Sequence, residues 1–332
     1  MSSIKQYNYC LDFIKGIACV FVVFMHCEFP DLMGIVVQAI SRFCVPLFFM
    51  VSGYFCFRNG GGVLSVPECR RKILHIGRIT LYATLFYLGL YLLRKILSDN
   101  VSLLVSYRQL IGWLIFNQPV WVVGQMWFLF ALLYTYLYFF SFELSGHRKW
   151  AYIIGFLMFP AYILLAQGLH IIGIHVPNCI YRNWAVEGIA FFMLGHWIHS
   201  IEHRIRISNS TLIWIFAIST LLCLPERYLI GRDFGVNICS IPQVTALFLY
   251  AVNNPLRHQG YVQLLGKNCS MYVYILHPAV WNVMKMLYKA IHIDNNTAAL
   301  YVMPLLVLLI TIVISMVCHN VKFKLSKISN NA

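Results

Sequence analysis

Apolar runs of roughly bilayer-spanning length recur along this chain, separated by short polar or turn-rich breaks. The pattern predicts helices over 10–28, 36–57, 74–96, 121–142, 150–168, 184–201, 210–225, 236–254, 268–289 and 298–319, ten spans in all. The breaks are Glu28-Phe29-Pro30-Asp31, Asn59 to Pro67, Ser98 to Asn100, Ser145-Gly146-His147-Arg148-Lys149, Ser208-Asn209-Ser210 and Asp294-Asn295-Asn296, all rich in turn formers. The run Leu110-Ile111-Gly112-Trp113-Leu114-Ile115-Phe116 is too short to cross alone and predicts an interfacial or re-entrant helix before the fourth span. The expected fold class is an all-α integral membrane protein, a single bundle of about ten transmembrane helices. That one domain takes in residues 1–332, including an N-terminal tail (1–9) and a basic C-terminal tail (320–332).

Composition supports lipid as the solvent. The chain of 332 residues is 60% hydrophobic and 11% charged, too little charge to cover the surface of a soluble domain. A net charge of +14 would suggest nucleic acid in a soluble protein, but here the cations alternate between loops, as the positive-inside rule requires, and no nucleic-acid partner is expected. Lys5; Arg58, Arg70, Arg71, Lys72 and Arg78; Arg148 and Lys149; Arg204 and Arg206; Arg257 and Lys267; and Lys322, Lys324 and Lys327 all fall on one side of the ten-span count. Arg94, Lys95, Arg108, Arg182, Arg227, Arg232 and Lys289 fall on the other, so an excess of cations places both termini in the cytoplasm. The eleven cysteines form no CxxC pair, and Cys19, Cys44, Cys223, Cys239 and Cys318 lie inside apolar runs as small core residues. The first apolar run has no small-residue cleavage site after it and carries Asp12 and Lys15 near its start, so it reads as a retained helix.

Ionisable groups at membrane depth are costly, and those few positions carry the most functional information. The first helix has Asp12, Lys15 and His26. Lys15 and His26 are eleven residues apart, which brings them within about 20° around the helix and separates them by roughly 16 Å along it. Asp12 lies on the same side, one turn before Lys15. Two readings follow: a polar pathway leading inward from the cytoplasm, or an interfacial ion pair with a histidine hydrogen-bonded to a neighbouring helix. His277 sits mid-segment before Pro278, which removes a helix hydrogen bond, and reads as a cavity residue or as part of a kinked packing helix. Glu187, just inside the sixth span, faces a polar cavity or caps the interface, while His196 and His199 lie toward that span's far end. Arg70, Arg71, Lys72, His75 and Arg78 concentrate positive charge at the start of the third span, from topology alone or as a site for phosphates or anionic lipid. The sequence has no Walker loop, GxGxxG opening a helix, HExxH or metal-spaced Cys/His set, so no metal is expected.

Several segments, in order, resemble the acyltransferase 3 family of membrane O-acyltransferases. They are Leu11-Asp12-Phe13-Ile14-Lys15-Gly16-Ile17 through Val22-Val23-Phe24-Met25-His26, and Val45-Pro46-Leu47-Phe48-Phe49-Met50-Val51-Ser52-Gly53-Tyr54. Met126-Trp127-Phe128-Leu129, Ala190-Phe191-Phe192-Met193-Leu194-Gly195-His196, and Gly266-Lys267 with Tyr274-Ile275-Leu276-His277-Pro278 complete the set, which spans essentially the whole chain. One departure is Lys15, which stands where the family usually has arginine, keeping the charge and losing the planar fork.

The resemblance implies a multi-pass protein of the bacterial inner membrane that moves an acetyl-type group from cytoplasmic acetyl-CoA to a hydroxyl of a cell-envelope or exopolysaccharide sugar. The donor's nucleotide is then expected at Arg70, Arg71, Lys72 and Arg78, with its pantetheine arm entering the bundle. His26 is the expected catalytic base or acyl carrier, with Lys15 and Asp12 completing the catalytic set. Ser52, Tyr54 and Trp127 would shape the thioester tunnel, and Glu187, Tyr274 and His277 would orient His26 or the acceptor. The partners are thus a glycan or other hydroxyl-bearing small molecule and the lipid bilayer; the oligomeric state is not legible. The alternative is a small-solute transporter or membrane sensing domain on the same bundle, although no pair of matching halves with Gly/Pro-interrupted helices is visible.

Overall fold

A computed structural model describes residues 8–58, 64–97, 105–120, 122–231, 235–256 and 258–331. Lys5, Asn59, the break from Ser98 to Asn100, Arg232 and Arg257 lie outside the described residues.

The described residues are helical and contain no strand. In chain order the helices are α1 (Tyr9–His26), α2 (Asp31–Ile40), α3 (Cys44–Tyr54), α4 (Val66–Leu97), α5 (Tyr107–Phe116), α6 (Trp127–Leu144), α7 (Arg148–Ile163), α8 (Leu169–Ile171), α9 (Asn178–Tyr181), α10 (Ile189–Ile201), α11 (Asn209–Ile230), α12 (Ser240–Asn253), α13 (Tyr261–Leu264), α14 (Ser270–Ala290) and α15 (Thr297–Asn331). Wider π-helical turns at Leu164–Gly168, Trp184–Gly188 and Leu265–Cys269 interrupt or lead into them.

Each of the ten expected spans is helical, but only seven stretches among the described residues are long and apolar enough to cross a membrane. These are Tyr9–His26, Asp31–Tyr54, Val66–Ile96, Gly124–Leu144, Arg148–Ile171, Asn209–Ile230 and Thr297–Lys324. The remaining three fall short for physical reasons. Helix α10 with its leading π-helical turn runs over Trp184–Ile201 but carries Glu187, His196 and His199, and α12 has 14 residues, about 20 Å of rise against a hydrocarbon core of about 30 Å. Helix α14 is longer but carries Lys285 and Lys289 in its second half. The expected C-terminal tail is helical as well, since α15 runs on to Asn331.

The short run before the fourth span forms α5, closed at its start by a reciprocal Ser106–Gln109 capping box and at its end by Asn117 in the left-handed region at φ 59°. Leu110, Ile111, Leu114 and Ile115 of α5 are exposed, as suits a helix lying in an interface. All eleven cysteines are free thiols, eight of them buried, so they act as small packing residues.

The chain divides into two compact units. The first takes residues 1–47, 206–231 and 236–332, and α1 is central to it, touching α2, α12, α13, α14 and α15. The second takes residues 48–205 and 232–235, and in it α4 and α7 pack on α6 while α7 also packs on α10. Both units depend on close backbone approach at glycine. In the first, a Cβ on Gly266 would strike the Asp12 carbonyl and one on Gly16 would strike the Val262 carbonyl. In the second, a Cβ on Gly53 would strike the Phe192 carbonyl and one on Gly195 would strike the Met50 carbonyl. Small residues that let helix backbones meet are the usual means of association where lipid removes the hydrophobic driving force.

Candidate functional site

Helix α1 begins where Asn8 accepts a hydrogen bond from the Cys10 amide (2.9 Å) and donates one to the Ala251 carbonyl (2.9 Å), which fixes the start of the helix against α12. From that start, Asp12 and Lys15 fall three residues apart and pair at 2.9 Å. The Asp12 side chain is 3% exposed and that of Lys15 16%. A carboxylate so buried needs its counter-charge, and the ammonium reaches it while retaining some contact with the surroundings.

At the other end of α1, its last residue His26 stacks on His277 of α14, with ring centroids 5.3 Å apart and planes inclined by 21°. His277 is fully buried. Its Nδ1 lies 3.0 Å from the Val273 carbonyl one turn back. A carbonyl oxygen only accepts, so Nδ1 carries the proton and Nε2 presents a lone pair. That Nε2 is buried and has no hydrogen-bond partner among the described residues. Pro278 supplies no N–H to the turn that begins at Tyr274. The Tyr274 ring lies 6.2 Å from His277 and is buried. The first unit thus gathers Asp12, Lys15, His26, Tyr274 and His277, with an ion pair at one end of α1 and two imidazoles at the other. What this arrangement can do chemically is accept a proton at an unoccupied imidazole nitrogen shielded from bulk water.

The other sequence-derived candidates belong to the second unit. Arg70, Arg71 and Arg78 line a surface groove of about 430 Å³ together with Val66, Pro67, Leu74 and His75. Lys72 is turned elsewhere, its Nζ donating to the Phe55 carbonyl at 3.0 Å, so three arginines and a histidine make up the basic face. Ser52 donates to the Phe48 carbonyl within its own helix (2.8 Å). Tyr54 donates to Glu202 (2.6 Å) and stacks on His199, whose Nδ1 lies 2.7 Å from the Tyr54 carbonyl. Trp127 is buried and carries the Arg182 guanidinium over its ring at 4.8 Å. Glu187 is buried on the π-helical turn Trp184–Gly188, a distortion of the kind that re-aims side chains at functional sites.

Two polar networks of the second unit escaped the sequence reading. Buried Glu143 takes two hydrogen bonds from Arg148, the Nε contact at 2.6 Å, and a third from the Leu64 amide at 3.2 Å. Tyr152 meets His196 Nδ1 at 2.6 Å. The five-residue separation of Glu143 and Arg148 spans the turn between α6 and α7, so no helical spacing rule exposes the pair.

The chain matches the family model described as an acyltransferase domain over residues 8–319. A curated relative named serine/alanine racemase, from Enterococcus gallinarum, is 25% identical over 340 residues, covering 91% of this chain and 44% of that protein. The chain therefore spans less than half the length of the curated relative it matches. No solved structure matches. The family match takes in α1 with Lys15 and His26, the end of α3 with Ser52, Gly53 and Tyr54, and α14 with His277 and Pro278, and the chain belongs to the acyltransferase 3 family.

Proposed function

We propose that this membrane protein transfers an acetyl-type group from cytoplasmic acetyl-CoA to a hydroxyl of a cell-envelope or exopolysaccharide sugar. The observation that carries the reading is the stacked His26–His277 pair at the end of α1, whose helix also holds the Asp12–Lys15 ion pair. Family membership supports the acyl transfer; the donor, the acceptor, a ten-helix crossing count, cytoplasmic termini and the inner membrane are our proposals.

In the proposed reaction, His26 takes the proton of the acceptor hydroxyl as its oxygen forms a bond to the thioester carbonyl carbon. The carbon–sulfur bond then breaks, and the coenzyme A thiolate leaves and recovers a proton. In the covalent variant His26 itself attacks the thioester and passes the acyl group on. His277 orients His26 by stacking, and its open Nε2 accepts a hydrogen bond from the acceptor. The exposed arginines Arg70, Arg71 and Arg78, joined by His75, suit the donor's phosphates, since guanidinium groups bind phosphate oxygens in a fork. Lys72, Ser52, Tyr54 and Trp127 then serve the donor channel, and Glu187 and Tyr274 the acceptor.

Membranes bearing wild type, His26→Ala, Lys15→Ala or Arg70→Ala/Arg71→Ala are incubated with radiolabelled acetyl-CoA and native envelope glycans. Transfer by wild type, lost in His26→Ala at equal abundance and restored by raised donor concentration in the double arginine variant, supports the reading. Absence of both label transfer and donor binding in wild type refutes it.

One observation favours a second reading. The relative's name refers to serine and alanine, and small polar solutes suit a transporter or sensing domain built on a bundle with buried His and Lys. Uptake of labelled serine by vesicles containing the protein, without any acyl transfer, would select it.

A further inference from the structure

Two residues beyond His26, at most about 7 Å along the chain, begins a second cavity of about 460 Å³, wholly within the first unit. Its polar lining is Glu28, Asp31, Gln38 and Arg227, and Phe29, Pro30, Ile35 and Leu300 give it an apolar wall. The volume is that of a small-molecule site.

Its charges are laid out unusually. Arg227 Nε is buried and has no hydrogen-bond partner among the described residues. Glu28 and Asp31 share the cavity with it, yet no Arg227 ion pair to either occurs among the described residues. Asp31 instead accepts from the Tyr301 hydroxyl at 3.3 Å. The Gln38 carbonyl oxygen is engaged by Arg42 at 3.4 Å. Cation and carboxylates thus line one open volume without pairing, and a guanidinium with no ion-pair partner among the described residues is available to a ligand carboxylate.

We propose that this cavity is the acceptor subsite and selects a hydroxylated carboxylate, whose carboxylate pairs with Arg227 and whose hydroxyl or ammonium donors are taken by Glu28 and Asp31. A monoanion fits better than a phosphate, because the two carboxylates in the lining repel a second negative charge. Both an acidic sugar residue such as a uronate and a free hydroxy amino acid carry this chemistry. The acceptor role rests on the acyl-transfer reading above; the binding specificity does not.

The test is equilibrium binding of radiolabelled D-glucuronate, L-serine and D-glucose to the full chain in lipid nanodiscs, with no acyl donor present. Glucuronate or serine is expected to bind, at least tenfold more weakly in Arg227→Gln and two- to fivefold more weakly in Glu28→Gln, with glucose binding negligible. Should Arg227→Gln fail to accumulate, the same contact is read from the ligand: the methyl ester of the bound acid, which lacks the carboxylate charge, should not compete with it. Binding of neither acid, equal binding by Arg227→Gln, equal competition by the ester, or glucose binding as tight as glucuronate overturns the proposal. Arg227-dependent binding without acyl transfer keeps the subsite and rejects the transferase reading. Transfer whose acceptor KM is unchanged in Arg227→Gln does the reverse.

Discussion

The imidazoles of His26 and His277 stack 5.3 Å apart, and the bond from His277 Nδ1 to the Val273 carbonyl fixes its tautomer with Nε2 open. A histidine in that state has one nitrogen committed to structure and one available for chemistry.

Substitutions that mimic one nitrogen at a time separate these roles. His277→Asn retains a donor near Nδ1 and removes Nε2, so if Nε2 takes part in acyl transfer, turnover should fall by about 10²-fold with abundance preserved. Single-turnover label transfer checks this. Full activity in His277→Asn would assign His277 to packing alone.

The Asp12–Lys15 pair predicts an asymmetry. Lys15→Ala removes a counter-charge from a carboxylate that is 3% exposed, whereas Asp12→Ala removes one from an ammonium that is 16% exposed and has a flexible stem. Lys15→Ala should therefore lower the thermal unfolding midpoint in detergent more than Asp12→Ala, with a cost up to about 3–5 kcal/mol. Lys15→Arg should stay close to wild type, and equal losses for both alanine variants would contradict this account.

Glycine-mediated contacts should be the least tolerant positions. Gly195→Ala and Gly266→Ala place a methyl against the Met50 and Asp12 carbonyls, with costs of at least about 1–3 kcal/mol expected from overpacking. Gly77→Ala and Gly89→Ala in α4 meet nothing within 4 Å and should be neutral or gain up to about 1 kcal/mol. Fluorescence-detected size exclusion of all four variants compares them directly.

Glu143 supports the turn from α6 to α7 through Arg148 and the Leu64 amide. Glu143→Ala removes an acceptor from a half-buried guanidinium and from the buried Leu64 amide and should cost about 3–5 kcal/mol. Arg148→Ala should be at least as damaging, because it takes the counter-charge from the more buried partner. A double-mutant cycle on unfolding midpoints measures the coupling, and strict additivity would mean that the pair contributes nothing.

The apolar runs alone determined the helical class and where most of the long helical stretches lie, because a chain in lipid must satisfy its backbone within each segment. The same periodicity placed Asp12, Lys15 and His26 on one side of α1, since helical phase is a property of local spacing. Span count was less legible: α12 is shorter than its apolar run, and α10 with its π-helical turn carries Glu187, His196 and His199. Only the tertiary structure brought His277 onto His26 across a separation of 251 residues and turned Lys72 toward the Phe55 carbonyl instead of the arginine groove. It also placed Arg227, Glu28 and Asp31 in the lining of one cavity. Local spacing fixes which face of a helix a residue occupies; which other helix that face meets is decided by contacts distant in sequence, and those require the fold.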